Sequence, residues 1–109
     1  MGNQITDIEK YIDDNKNEMM LMWERFVNIE TGSNNKEGID QLADSIKVIL
    51  DHEGFETEVR FFRNCGNSIF AIKKGTTNKK PICLIGHMDT VFSKGGLEKN
   101  PFRIEDGKV

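Results

Sequence analysis

The hydrophobic period of this chain changes at Gly54. Upstream, Ile39, Leu42, Ala43, Ile46, Ile49 and Leu50 recur at helical spacing, with Asp40, Lys47 and Asp51 on the opposite face. Downstream, Phe55, Thr57, Val59 and Phe61 alternate with Glu56, Glu58 and Arg60, the pattern of a half-exposed strand over 55–62. Gly54 is placed to end the helix as a left-handed cap. Asn64-Cys65-Gly66-Asn67 then reads as a turn, 68–74 as a second strand, and Gly75 to Lys80 as a polar reversal before Pro81. The run Ile82-Cys83-Leu84-Ile85 does not alternate. A strand apolar on both faces belongs in the middle of a sheet covered by helices, so 82–86 is expected to be a central strand. Together these segments predict an α/β fold, with helices packed on a mixed sheet.

Upstream of this region, Ile5, Ile8, Ile12, Met19, Trp23 and Phe26 follow a helical stripe that the polar stretch Asp13 to Glu18 interrupts. The expectation is two consecutive helices or one kinked helix, ending near Glu30. Thr6-Asp7-Ile8-Glu9 fits a capping box at its start. Met20, Met22 and Val27 widen the apolar face and read as core packing, with Trp23 as an anchor. Thr31 to Gly38 is dense in turn formers, and Thr31 and Ser33 read as capping or turn residues before the next helix.

The chain has 109 residues, 37% of them hydrophobic, and a formal net charge of −3. That suffices for one packed core, so 1–109 is either one small domain or a piece of a larger one. No apolar run approaches the ~18 residues that span a bilayer, and the N-terminus lacks a secretion signal, so a cytoplasmic protein with no membrane partner is expected. Lys73-Lys74 and Lys79-Lys80 are short pairs flanking a turn rather than a basic face, which argues against nucleic acid. Cys65 and Cys83 form no CxxC and read as free thiols, Cys83 buried in the apolar strand and Cys65 exposed in its turn. Gly95-Gly96 lacks a following Lys-Ser/Thr and is not read as a phosphate loop.

In open α/β sheets, reactive groups gather where central strands end. The predicted strand 82–86 delivers Gly86-His87-Met88-Asp89-Thr90 to that place. Residues two apart in extended backbone project to one side, so the imidazole of His87 and the carboxylate of Asp89 would share a pocket, with Gly86 easing the exit from the strand. Neutral imidazole suits a metal ion such as zinc, and a nearby carboxylate can fix its tautomer and raise its basicity. His52, beside Asp51 and Glu53 at the end of the second helix, reads as a solvated helix-end residue.

The apolar strand followed by His87-Met88-Asp89-Thr90-Val91, with Phe92-Ser93-Lys94-Gly95-Gly96, Asn100-Pro101-Phe102 and Glu105 to Val109, resembles the zinc aminoacylase and carboxypeptidase family, most nearly its glutamate carboxypeptidase branch. The resemblance extends upstream through Asn28-Ile29-Glu30-Thr31-Gly32-Ser33 and covers most of the chain from about residue 20. It implies that His87 binds one of two zinc ions, for which cobalt or manganese would also suit, and that Asp89 is the catalytic-site carboxylate that orients and polarises it. The family's bridging aspartate, glutamate general base and remaining ligands arrive later in the chain than Val109. The resemblance therefore implies that 1–109 is the N-terminal portion of a zinc-exopeptidase-like catalytic domain, with an incomplete sheet and no hydrolytic activity alone. The complete enzyme would cleave an amide bond in a small peptide or acyl-amino acid, releasing a C-terminal amino acid such as glutamate. An uncovered sheet edge would favour a homo-oligomer. The alternative is a self-contained, non-catalytic α/β binding or oligomerisation module carrying a remnant metal motif.

Overall fold

The computed structural model describes residues 2–109 and contains, in chain order, α1 (Gly2–Val27), α2 (Lys36–His52), β1 (Glu56–Arg60), β2 (Ser68–Ile72) and the single turn α3 (Gly96–Lys99). It divides into two compact units: Ile29–Pro101, and the residues through Asn28 together with Phe102–Val109.

In the unit Ile29–Pro101, both ends of α2 are fixed by local hydrogen bonds. Asn35 is the N-cap: its Oδ1 accepts from the Gly38 N–H at 3.0 Å, while its Nδ2 donates to the Glu30 carbonyl at 2.8 Å. One side chain thus satisfies a helix-end donor and ties down the preceding loop. Gly38 is required by that approach, because a Cβ there would lie 1.8 Å from the Glu30 carbonyl oxygen. At the other end Gly54 has φ +85°, with Gly54 N–H donating to Asp51 O at 3.1 Å and Phe55 N–H to Leu50 O at 2.9 Å. That is a Schellman termination, which only a left-handed residue permits without strain, and it turns the chain directly into β1.

β1 and β2 form an antiparallel pair in which Thr57 faces Ala71 and Val59 faces Ile69. These four side chains are half-buried on the inner face and alternate with exposed Glu56, Glu58, Arg60, Phe70 and Ile72, as the period of two requires. The buried apolar residues are Ile39, Leu42 and Ala43 of α2, which packs against this hairpin. A polar clip secures the hairpin loop. Buried Asn67 donates its backbone N–H to Asp40 Oδ1 at 2.7 Å, and its Oδ1 accepts from Lys36 Nζ at 3.1 Å and the Phe62 N–H at 3.2 Å. Lys36 also pairs with Asp40 at 2.8 Å. The Lys36 ammonium, helped by the Asn67 amide, holds the Asp40 carboxyl below its ordinary range despite the opposing effect of burial.

The α/β class and the incomplete sheet match the expectation, but the sheet has two strands among the described residues. The run expected as a central strand forms no ladder, and Ile82, Leu84 and Ile85 are each at least 90% exposed. A parallel central strand is held by neighbours on both edges, and β1 and β2 pair only with each other. Cys83 is consequently exposed rather than buried, whereas exposed Cys65 is as expected. Gly86 has no positive φ, and a Cβ placed on it would meet nothing within 4 Å, so the backbone does not demand glycine there.

In the other unit α1 is one continuous helix rather than two consecutive ones, and it ends at Val27. At the polar stretch Lys10 pairs with Asp14 across one turn, and Asn15 Nδ2 donates to the Tyr11 carbonyl at 2.8 Å. Thr6 lies inside the helix, not at its start. Trp23 meets Phe102 edge-on, with ring centroids 6.0 Å apart, yet it stays 47% exposed. Met19 and Met22 are exposed too, so the methionine cluster is not a core among the described residues.

Gly66 tests how tightly the loop sits on α2, since a Cβ there would lie 2.2 Å from Ile39 Cγ2 and 2.5 Å from its Cβ. Gly66→Ala should destabilise this unit by about 1–3 kcal/mol in urea unfolding through overpacking. Gly75→Ala, with nothing within 4 Å, should not; equal effects would contradict this packing.

Candidate functional site

Two loops distant in sequence meet by backbone pairing. The Thr90 N–H donates to Thr31 O at 2.7 Å and the Ser33 N–H to Thr90 O at 3.1 Å, a parallel bridge centred on Gly32 and Thr90. The contact is close: a Cβ on Gly32 would lie 2.4 Å from the Phe92 carbonyl oxygen. Thr31 is buried at the junction. Glu30, one residue earlier, reaches the same downstream loop, its Oε1 accepting from the Gly95 N–H at 2.8 Å and the Leu97 N–H at 3.4 Å. Gly95 has φ +88°, which aims these amides at the carboxylate. The double-glycine segment thus receives an internal carboxylate.

This pairing sets Ser33 beside Asp89. The Ser33 hydroxyl lies 2.7 Å from Asp89 Oδ2 and 3.2 Å from the Thr90 carbonyl oxygen; its single proton serves the shorter contact best. On the other side of the carboxylate, His87 Nδ1 lies 2.8 Å from the Asp89 carbonyl oxygen and 3.2 Å from Asp89 Oδ1. The order is therefore serine, carboxylate, imidazole. Hydrogen bonding from Ser33, and secondarily from His87, holds the Asp89 carboxyl below its ordinary range against partial desolvation.

The chemistry follows from which atoms are engaged. Both groups facing Nδ1 are acceptors, so a neutral ring carries its proton on Nδ1 and leaves the Nε2 lone pair unprotonated. The ring is 83% exposed and Nε2 makes none of these contacts. Such a histidine can donate Nε2 to a Lewis acid, with the carboxylate orienting the ring. It is not a serine nucleophile arrangement, because the Ser33 proton goes to the carboxylate and not to the imidazole.

His87 and Asp89, singled out from the sequence, are brought together; His52 is exposed at the end of α2. Among the described residues no group of three or more His, Cys, Asp or Glu could hold a metal ion. Zinc sites use three or four protein ligands, so the residues present fit one ligand with its supporting carboxylate and not a complete centre. Ser33 takes the turn role expected of it, in the turn closed by the Asn35 N–H on Gly32 O at 2.7 Å, but the capping role falls to Asn35, and the Ser33 hydroxyl bonds Asp89. Glu30 carries no sequence signal of its own beyond lying in the segment that resembles the family. The bond from Ser33 to Asp89 spans 56 residues and has no local periodicity to reveal it.

No family model matches the chain. Over 88 residues, 79% of its length, it is 38% identical to carboxypeptidase G2 of Pseudomonas sp. (strain RS-16). The relationship is carboxypeptidase-like. The chain spans about a fifth of the length of this curated relative, the match covering 21% of it.

Glu30→Ala should speed hydrogen exchange at the Gly95 and Leu97 amides by about tenfold, the effect of losing roughly 1.5 kcal/mol of charge-assisted hydrogen bonding, while the Asn67 amide, bonded to Asp40, keeps its protection. Unchanged exchange at Gly95 and Leu97 would show that the carboxylate does not hold this loop.

Proposed function

We propose that the chain is the N-terminal portion of the catalytic domain of a zinc-dependent carboxypeptidase, an amidohydrolase that releases a C-terminal amino acid such as glutamate from a small peptide or acyl-amino acid. The observation that carries this reading is the His87–Asp89 contact: an exposed imidazole whose Nδ1 faces a carboxylate and a carbonyl, leaving Nε2 as a donor. The similarity to carboxypeptidase G2 supports the reaction class.

His87 would hold one metal ion through Nε2, and Asp89 would orient the ring. Bound metal supplies Lewis-acid polarisation of the scissile carbonyl and lowers the pKa of water. The residues of this chain do two things toward that end. They fix the imidazole tautomer, and they anchor the ligand-bearing loop to the loop 31–33 through the Thr90 pairing. The other ligands and the general base are proposed to lie outside these residues, so the isolated chain is expected to be inactive.

The test is a chimera of carboxypeptidase G2 in which the matched segment is replaced by the corresponding residues of this chain, assayed for release of a C-terminal amino acid. Activity should survive the exchange, His87→Ala should abolish it, and Asp89→Ala should lower it by about 10–100-fold, as for other partners of metal-bound histidines. A folded, inactive chimera, or one whose activity survives His87→Ala, would overturn the proposal. Should the chimera not fold, zinc titration of the 109-residue chain decides: binding that His87→Ala leaves unchanged rejects it.

A further inference from the structure

We infer that Ser33 is a positioning residue for His87, acting through Asp89: its hydroxyl pins the carboxylate so that the imidazole presents Nε2 outward. This rests on the assignment of His87 as a metal ligand, but its local half, the control of the imidazole by Ser33, can be tested without any metal.

Three observations place Ser33 in this role. Its Oγ lies 2.7 Å from Asp89 Oδ2, while His87 Nδ1 lies 3.2 Å from Oδ1 of the same carboxylate, so the serine and the histidine occupy opposite oxygens. With one oxygen tied to Ser33, rotation of the carboxylate is restrained and the other oxygen stays toward the ring. Secondly, Ser33 does not use its hydroxyl for helix capping, the ordinary role of a serine in a loop before a helix, because Asn35 holds that position. Thirdly, Ser33 is carried on backbone that is itself paired to the ligand loop: its N–H donates to Thr90 O, and Thr90 N–H donates to Thr31 O. Serine and carboxylate are thus fixed by the same bridge.

The chemistry of the contact also explains why a small hydroxyl is suited to this position. A side chain with acceptors alone could not donate to the carboxylate, and a cation would compete with a metal ion for the negative charge. A neutral donor orients Asp89 and leaves its charge available to the imidazole. Threonine keeps the hydroxyl; alanine removes it; cysteine keeps the approximate size with a weak donor.

The experiment reads the ring nitrogens of His87 by two-dimensional ¹⁵N–¹H NMR in the 109-residue chain, at a pH where the ring is neutral, followed by titration with zinc chloride. Wild type should show mainly the Nδ1–H tautomer. Ser33→Ala should move the population toward Nε2–H and weaken zinc binding at His87 by about three- to tenfold, less than the 10–100-fold typical of losing a direct partner. Ser33→Thr should restore both. Amide shifts of Val59 and Ile69 report whether the fold persists; if Ser33→Ala disturbs them, Ser33→Cys provides the comparison and should shift the tautomer in the same direction. A tautomer ratio that neither substitution moves overturns the inference, even where His87→Ala abolishes zinc binding and the metal assignment stands. A tautomer shift that Ser33→Ala produces and Ser33→Thr reverses supports the local role of Ser33 whatever the zinc response of this incomplete site.

Discussion

Two backbone hydrogen bonds, from Thr90 N–H to Thr31 O and from Ser33 N–H to Thr90 O, are the constraint on which the site depends. Loops paired this way are not free to place side chains independently. Gly32 and Phe92 O approach so closely that no β-carbon fits between them, and the consequence is that Ser33, Asp89 and His87 line up as donor, carboxylate and ring. Each such bond is worth only about 1 kcal/mol net. Their leverage comes from position, since they join segments that would otherwise need a sheet between them to be held together.

The same reliance on a few polar contacts appears in how α2 and the hairpin are joined. Only Ile39, Leu42 and Ala43 are buried apolar residues among those described, which is a small core. Polar contacts therefore take a large share of the task of fixing geometry: Asn35 at one end of α2, the Schellman turn at the other, and the Asp40, Lys36 and Asn67 clip across the hairpin loop. The Glu30 carboxylate serves the loop around Gly95 in a comparable way. In each case a polar side chain or a turn closes a gap that apolar packing does not fill.

Local periodicity is the part of the fold that can be read from the sequence. The stripe from Ile39 to Leu50 and the alternation after Gly54 translate directly into α2 and β1, with the glycine in the expected left-handed conformation. The pairing of His87 with Asp89 is likewise readable, because two residues of extended chain suffice to bring them together. Long-range partners are not. Ser33 looks like a cap because hydroxyl residues before helices usually are, and nothing near it announces Asp89. The apolar run at 82–85 illustrates the reverse failure. Its composition specifies a surface to be covered, but composition alone does not supply the neighbouring strands, so those side chains stay exposed. In α1 the polar interruption suggests a break, while the helix runs through it from Gly2 to Val27.

The central claim is that His87 offers Nε2, and not Nδ1, to a metal ion. Crystals of the chain soaked in zinc, with anomalous data collected on both sides of the zinc absorption edge, address it directly. The account predicts a peak about 2.0–2.1 Å from His87 Nε2, the usual zinc–imidazole distance, with Nδ1 still facing Asp89. A peak at Nδ1, with the ring turned away from Asp89, would contradict it.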